Sequence, residues 1–469
     1  MIRAALRDAR SALRRAHTHL HRLSPPQLLV ISFAALIVVG MVGLATLPAL
    51  YTDGRPLGWI DALFTATSAV CVTGLIVVDT ATHFTPLGQG FLLVLIQLGG
   101  LGMITVASLV VVSLGQRLSL RAESVVSTGP SSVPDLDARH LVARVVGFTL
   151  ALEAFGALLL LFAFAPHFPL HTAFWHALFQ SVSAFCNAGF STFTTSLEAW
   201  AGNSVVIWTV MALVVLGGMG FLTLAEVHRW YLTDDRACRP RISIHSRIAL
   251  VTTVVLLAAG WGAFAVLEWR GVLEGMPFVS RLENSLFMSV TARTAGFNTV
   301  PYAEASDPAN FLTMLLMSIG GSPGSTAGGI KTTTFFLIGL LAWSRMRGRT
   351  AVSVWSRTIP DETIQRAVGL FVVGFAVMTG GILLFTVLES QGGAGPPFLT
   401  LMFEAVSAFN TVGLSLGVTP ELEPGSRVFT TVLMFIGRVG PLAFASAIAA
   451  RARASAPRYH YAREDVSVG

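Results

Sequence analysis

Four short runs in this chain end in a glycine behind small or β-branched residues: Val72-Thr73-Gly74, Asn187-Ala188-Gly189, Thr294-Ala295-Gly296 and Thr411-Val412-Gly413. The chemistry open to such runs lies in the main chain. Glycine adopts positive φ, which other residues resist, so each run can turn carbonyl oxygens toward a common point. Carbonyl rings of this kind replace the water shell of a monovalent cation in the TVGYG filter of potassium channels, whose first half these tripeptides echo. One tripeptide is a weak signal. Four are a strong one, because the glycines are separated by 115, 107 and 117 residues and so recur at a repeat period. The plainer alternative is that they turn tight loops in a helical bundle.

The elements that must position these runs repeat as well. In three of the four segments a Phe precedes the glycine by ten positions and a Ser-Ala pair precedes it by six and five: Phe64 and Ser68-Ala69, Phe179 and Ser183-Ala184, Phe403 and Ser407-Ala408. The third segment keeps the order, with Phe287 and Thr291-Ala292, but is one residue shorter. Each stretch is apolar yet too short to span a bilayer, and so is expected as a re-entrant half-helix, surrounded by protein or a watery cavity where its backbone is irregular. Half-helices entering from one side direct their partially negative C-termini to the membrane centre, where four together favour a cation.

Composition agrees with a membrane setting. The 469 residues are 53% hydrophobic and only 12% charged, which excludes a water-soluble enzyme of this size. Eight apolar segments are long enough to be spans, at 27–50, 91–114, 145–165, 204–226, 248–268, 311–342, 367–388 and 428–450. The 31 Lys and Arg test the assignment: segments 1–26, 115–144, 227–247, 343–366 and 451–469 hold 24, against 5 in the alternate connections. Excess positive charge marks the cytoplasmic side, so both termini are expected on the inner face of a plasma membrane. The fold class expected is an all-α polytopic membrane protein of four membrane-pore-membrane repeats, eight transmembrane helices plus four re-entrant loops in pseudo-fourfold arrangement. The repeats are placed at 27–114, 145–226, 248–342 and 367–450, between a basic arm (1–26) and a tail (451–469).

Two features inside the spans suggest control of a pathway. The run Gly320-Gly321-Ser322-Pro323-Gly324-Ser325-Thr326-Ala327-Gly328-Gly329 cannot hold a regular helix and interrupts the span at 311–342. Backbone freed at that depth must face protein or water, which places the run beside the pathway; a passive kink is the alternative. Arg438 lies within the last span, where a charge costs about 2.5–3.5 kcal/mol and normally faces a watery interior or a buried partner, for which Glu153 is the candidate acid. Lys331 follows the glycine-rich run and is expected to move with it or to anchor it at the inner face.

Together with Gln97-Leu98-Gly99-Gly100-Leu101-Gly102 and Ile436-Gly437-Arg438-Val439-Gly440-Pro441-Leu442, these motifs resemble the KtrB/TrkH/HKT superfamily of potassium-translocating subunits over the whole chain. The first repeat begins near residue 27 without extra leading helices, which favours the KtrB branch. The resemblance implies K+ held by the twelve residues of the four tripeptides. It makes the run from Gly320 to Gly329 a mobile intramembrane gate and Arg438 a positive barrier beneath the filter. It also implies a homodimer, a cytoplasmic ring of KtrA-type nucleotide-binding regulatory subunits, and stimulation by Na+. Anionic lipid headgroups would equally suit the basic inner loops.

Other patterns carry less. Gly320-Gly321-Ser322-Pro323-Gly324 fits GxSxG, the basis of a competing intramembrane serine protease, but lacks the strand-to-helix context that motif needs. His17, His19 and His21 scatter around a helix rather than converging on a metal. Cys71, Cys186 and Cys238 are read as free thiols, Asp79 as an outer-mouth acid, and Asn187, Glu404 and Asn410 as supports of the loops. No nucleotide-binding spacing is present, so no enzyme activity, organic cofactor or nucleic-acid partner is expected. Uptake would draw on the membrane potential, about 2.3 kcal/mol per charge per 100 mV, or on a coupled ion; in the latter case the chain would be an alternating-access cation symporter.

Overall fold

The computed structural model describes residues 25–102, 138–233, 241–390 and 395–440. The described residues are almost wholly helical, with a single two-stranded hairpin pairing Ser353–Val354 to Arg357–Thr358. Cys238 and His17, His19 and His21 lie outside the described residues.

Helices α1 (Pro25–Thr46), α4 (Ala138–Phe164), α8 (Ile244–Glu268) and α12 (Asp361–Ser390) each contain an apolar stretch long enough to cross a membrane, and only 17% to 33% of their most apolar windows is buried. Residues such as Val39, Phe162, Val266 and Leu383 point outward. So much exposed apolar surface is stable in lipid rather than water.

Each of these is followed by a short helix whose C-terminal half is buried on nearly all sides: α2 (Trp59–Val70), α5 (Leu170–Cys186), α9 (Phe278–Thr291) and α13 (Phe398–Phe409). Three of the four start immediately after a proline (Pro169, Pro277, Pro397), whose fixed φ suits the turn into a helix. The recurring Phe64, Phe179, Phe287 and Phe403 are at most 1% exposed and seat the short helices in the core.

A second flanking helix completes each unit: α3 (Pro86–Gly102), α6 (Ser204–Gly218), α10 (Asp307–Ser318) and α14 (Pro424–Val439). Asn203 and Ser306 cap α6 and α10 by accepting backbone N–H bonds. The units also lock to one another. The short helix α9 packs on α6 of the unit before it, α13 packs on α10, and α2 packs on α14, which brings the first unit against the last.

Among the described residues, four of the eight expected spans are single helices long enough to cross a membrane, or five if the bent segment at 204–226 counts as one. Residues 103–114 and 441–450 of two further spans, like the arm before residue 25 and the tail 451–469, lie outside the described residues. The segment at 204–226 is not one helix: α6 and α7 (Phe221–Leu232) meet at 106°. Gly220 takes φ +81°, and the carbonyls of Gly217 and Gly218, freed at the break, accept from Thr326 N (3.2 Å) and Ser322 N (2.9 Å) of the glycine-rich run. That run replaces the lost helical hydrogen bonds, so the bend costs little at this depth. The segment at 311–342 is divided as expected, into α10 and α11 (Thr332–Met346).

Candidate functional site

At the C-terminus of each short helix the chain turns into a loop of the same form. Val72, Asn187, Thr294 and Thr411 adopt φ of 56°, 59°, 68° and 50°, and the glycine two residues on is also positive, at 96°, 70°, 77° and 93°. Positive φ at a β-branched residue is a true outlier. Three such outliers at equivalent positions identify a strained conformation that the surrounding packing imposes.

What holds the loops is the residue pair singled out by the repeat. The Ser68 hydroxyl donates to Leu75 O (2.7 Å) and accepts from Gly74 N (3.1 Å), and Ser183 donates to Phe190 O (2.7 Å). Thr291 does the same to Phe297 O (2.5 Å), and Ser407 accepts from Gly413 N (3.1 Å). Main-chain bonds from Thr73 N, Ala188 N, Ala295 N and Val412 N back to Ser68 O, Ser183 O, Thr291 O and Ser407 O complete the turns. Sequence reasoning found this Ser-Ala signature but not its use.

The four loops meet. A Cβ on Gly74 would lie 2.5 Å from Ala188 O; on Gly189, 3.1 Å from Ala295 O; on Gly296, 2.4 Å from Val412 O; on Gly413, 2.1 Å from Thr73 O. Each glycine therefore touches the next loop, and the fourth touches the first. The circle is closed by residues more than a hundred positions apart. All four glycines line one cavity of about 350 Å³, together with Asp79, Thr194, Glu198, Asn298 and Thr419. Asp79 accepts from Ala81 N (3.0 Å), Thr82 (2.8 Å) and Thr194 (2.8 Å), so it is built into the rim rather than merely solvated. Glu198 accepts from Asn298 (2.6 Å), and burial, then the nearby Glu304 charge, pushes its carboxyl above the ordinary value.

The glycine-rich run folds back on itself, with Gly320 N donating to Ile330 O (2.9 Å), and presses on the fourth loop: a Cβ on Gly328 would lie 2.0 Å from Thr411 Oγ1. Cationic side chains hold its carbonyls. Lys331 Nζ donates to Ala327 O (2.6 Å), and Arg438 donates to Thr326 O and to Gly99 O (3.4 Å). Arg438 is buried, and the Arg438–Glu153 pair does not form: Glu153 instead accepts from Gln97 (2.9 Å). Ser322 is buried with its hydroxyl against Thr332 (3.3 Å), an arrangement without the partners of a catalytic serine. Cys71 and Cys186 are buried free thiols, Cys186 Sγ lying 3.3 Å from Gln97 Oε1. Asn410 donates to Val406 O (2.9 Å), one turn back in the short helix, while Glu404 accepts from Ser415 (2.9 Å) and Thr419 and so ties the segment after the fourth loop to that helix.

A second repeat escaped the sequence reading. Leu98-Gly99-Gly100-Leu101-Gly102, Leu216-Gly217-Gly218-Met219-Gly220, Ile319-Gly320-Gly321 and Ile436-Gly437-Arg438-Val439-Gly440 stand at equivalent positions. A Cβ on Gly99, Gly217 or Gly437 would fall within 2.0 Å of the carbonyl of Val70, Phe185 or Phe409, so only glycine lets these helices approach the short-helix ends. Arg438 replaces what is glycine in the other three units.

Comparison with known proteins decides what this ring belongs to. A profile of TrkH, cation transport protein, matches residues 9–455. The chain belongs to this family. A potassium/sodium uptake protein of Enterococcus hirae is 36% identical over 450 residues, 96% of this chain and 98% of that relative. The Ktr system potassium uptake protein B of Bacillus subtilis is 37% identical over 425 residues, 90% of this chain and 92% of its own length. Among solved structures, the potassium transporter TrkH of Vibrio parahaemolyticus shares the fold, with a TM-score of 0.70 at 18% identity over 90% of this chain and 85% of that one. The family is one of multi-pass membrane transporters, not enzymes.

Proposed function

We propose that the chain is the potassium-translocating pore subunit of a Ktr-type uptake system, with four membrane-pore-membrane repeats around one pseudo-fourfold pathway. The closed circle of Gly74, Gly189, Gly296 and Gly413, open to a single cavity, carries this reading. Carbonyls of the twelve tripeptide residues take the place of water around K+, and the half-helix C-termini add negative potential. The curated relatives named for potassium and potassium/sodium uptake support the ion, and the second suggests Na+ as activator or passenger.

In this reading the run 320–329 is the gate, since it presses on the fourth loop from one side, and Arg438 and Lys331 set its position and the charge the ion meets. The excess of Arg in segments 1–26, 115–144, 227–247, 343–366 and 451–469 supports cytoplasmic termini in the plasma membrane. The name of the Bacillus subtilis relative supports a place in a Ktr system; the homodimer and the KtrA-type nucleotide-binding ring, docked on the basic inner loops beside membrane lipids, rest on the family resemblance alone. An alternating-access carrier fits less well, because repeats of one orientation closing a circle favour a continuous pore.

The test is uptake by potassium-transport-deficient cells carrying the full chain and its regulatory partner. The wild type restores growth at low K+, and Gly189→Ser weakens the preference for K+ over Na+. A well-expressed Gly189→Ser protein with unchanged preference refutes the filter.

A further inference from the structure

Arg293 has no part in the reading above, yet it is the charged group nearest the third loop in sequence, directly preceding Thr294-Ala295-Gly296. It stands three residues before the ring glycine, where the other loops carry Cys71, Cys186 and Asn410. The third loop is thus unusual twice over, in its missing residue and in placing a long cation where its counterparts are small.

Its side chain is buried, at 8% exposure, and among the described residues it belongs to neither ion pair, which are Arg366 with Glu362 and Arg427 with Asp61. Nη2 donates to Gly320 O at 3.2 Å, while Nε has no partner. Gly320 is where the span at 311–342 breaks and the glycine-rich run begins, and its N–H is bonded to Ile330 O at the run's far end (2.9 Å). A charged group held in the membrane interior by one carbonyl is costly, and a charge retained at such a cost marks a functional site. The carbonyl it holds belongs to the gate, and the backbone that carries it belongs to the filter.

We infer that Arg293 is a positioning residue that ties the gate to the filter, so that movement of the glycine-rich run and the geometry of the third loop change together. This rests on the ring and gate reading above. Release of the Gly320 carbonyl loosens the start of the run, whose far end, at Gly328, lies against Thr411 of the fourth loop, and loss of the guanidinium at the same time leaves Thr294, at φ 68°, with less to hold its strained backbone. Flux and ion preference are then linked through one side chain.

The experiment measures K+ and Na+ uptake by the full chain with its partner in transport-deficient cells, per unit of protein in the membrane. Arg293→Met is expected to raise unstimulated K+ flux at least threefold and to lower K+ preference at least threefold. Arg293→Lys, which restores charge and a donor, stays within twofold of wild type in both. Arg293→Gln, closer in polarity though smaller, carries the same expectation as Met at smaller size should the Met protein fail to reach the membrane. Gly320→Ala displaces the accepting carbonyl from within the run, since its Cβ would lie 2.0 Å from Gly328 O. Combined with Arg293→Met it should produce no more change in flux than the larger single effect. Flux that rises with K+ preference intact, or single effects that multiply, overturns the inference. Either result in a protein whose wild type prefers K+ leaves the filter reading standing, whereas loss of that reading shows in the glycine variants alone.

Discussion

Adding one methyl group to each ring glycine in turn tests the ring more sharply than any other change, because the structure ranks the four positions. A Cβ clears the facing carbonyl by 2.1 Å at Gly413, 2.4 Å at Gly296, 2.5 Å at Gly74 and 3.1 Å at Gly189. All four residues also have positive φ, which costs an alanine roughly 1–2 kcal/mol. At Gly189 little else is lost, since Ala295 O need retreat only by a few tenths of an ångström. At Gly413 the carbonyl of Thr73 must move by about 1 Å, and overpacking of this kind adds roughly 1–3 kcal/mol. Displacement of one coordinating oxygen by that much removes it from the ion. The positive-φ cost falls on folding at all four positions alike, so only the overpacking of about 1–3 kcal/mol, at roughly 1.4 kcal/mol per factor of ten, separates them: Gly413→Ala should lower K+ preference over Na+ by at least roughly fivefold, and Gly189→Ala by roughly twofold to threefold. Gly296→Ala and Gly74→Ala fall between. Uptake of K+ against rising Na+, normalised to protein in the membrane, measures the preference, and thermal unfolding of the purified chain measures the strain. A Gly413→Ala protein that keeps wild-type preference while Gly189→Ala loses it would refute the facing of carbonyl on glycine.

Three further outcomes follow from the same geometry. Ser68→Ala and Ser183→Ala each remove a buried hydroxyl that supports a loop carbonyl, so each should cost about 1 kcal/mol of stability and reduce K+ preference, as unfolding and competition uptake would reveal. Arg438→Ala frees Thr326 O and removes a positive charge, and should raise basal flux at negative membrane potential, measured as Rb+ entry; an unchanged rate would remove Arg438 from the gate. Glu198 gains its proton earlier than exposed carboxylates as external pH falls, because its carboxyl is pushed up by burial and Glu304. The rim then loses a negative charge, so half-saturating K+ should rise in mild acid at low ionic strength, and Glu198→Gln should show this higher value at all pH without the acid limb.

The chain's local patterns determined a good deal on their own. Apolar run length, the Phe and Ser-Ala periodicity, the glycine spacing and the breaking of a span by residues 320–329 are all written within short windows, where hydropathy and backbone freedom act directly. Tertiary structure decided the rest. That Gly413 meets Thr73, that α6 bends because Ser322 and Thr326 take up its freed carbonyls, and that Arg438 holds Thr326 O instead of Glu153 all depend on partners a hundred or more residues away. The left-handed strain at Val72 and Thr411 is likewise unreadable from residue type, since those residues avoid that conformation unless packing from every side compels it.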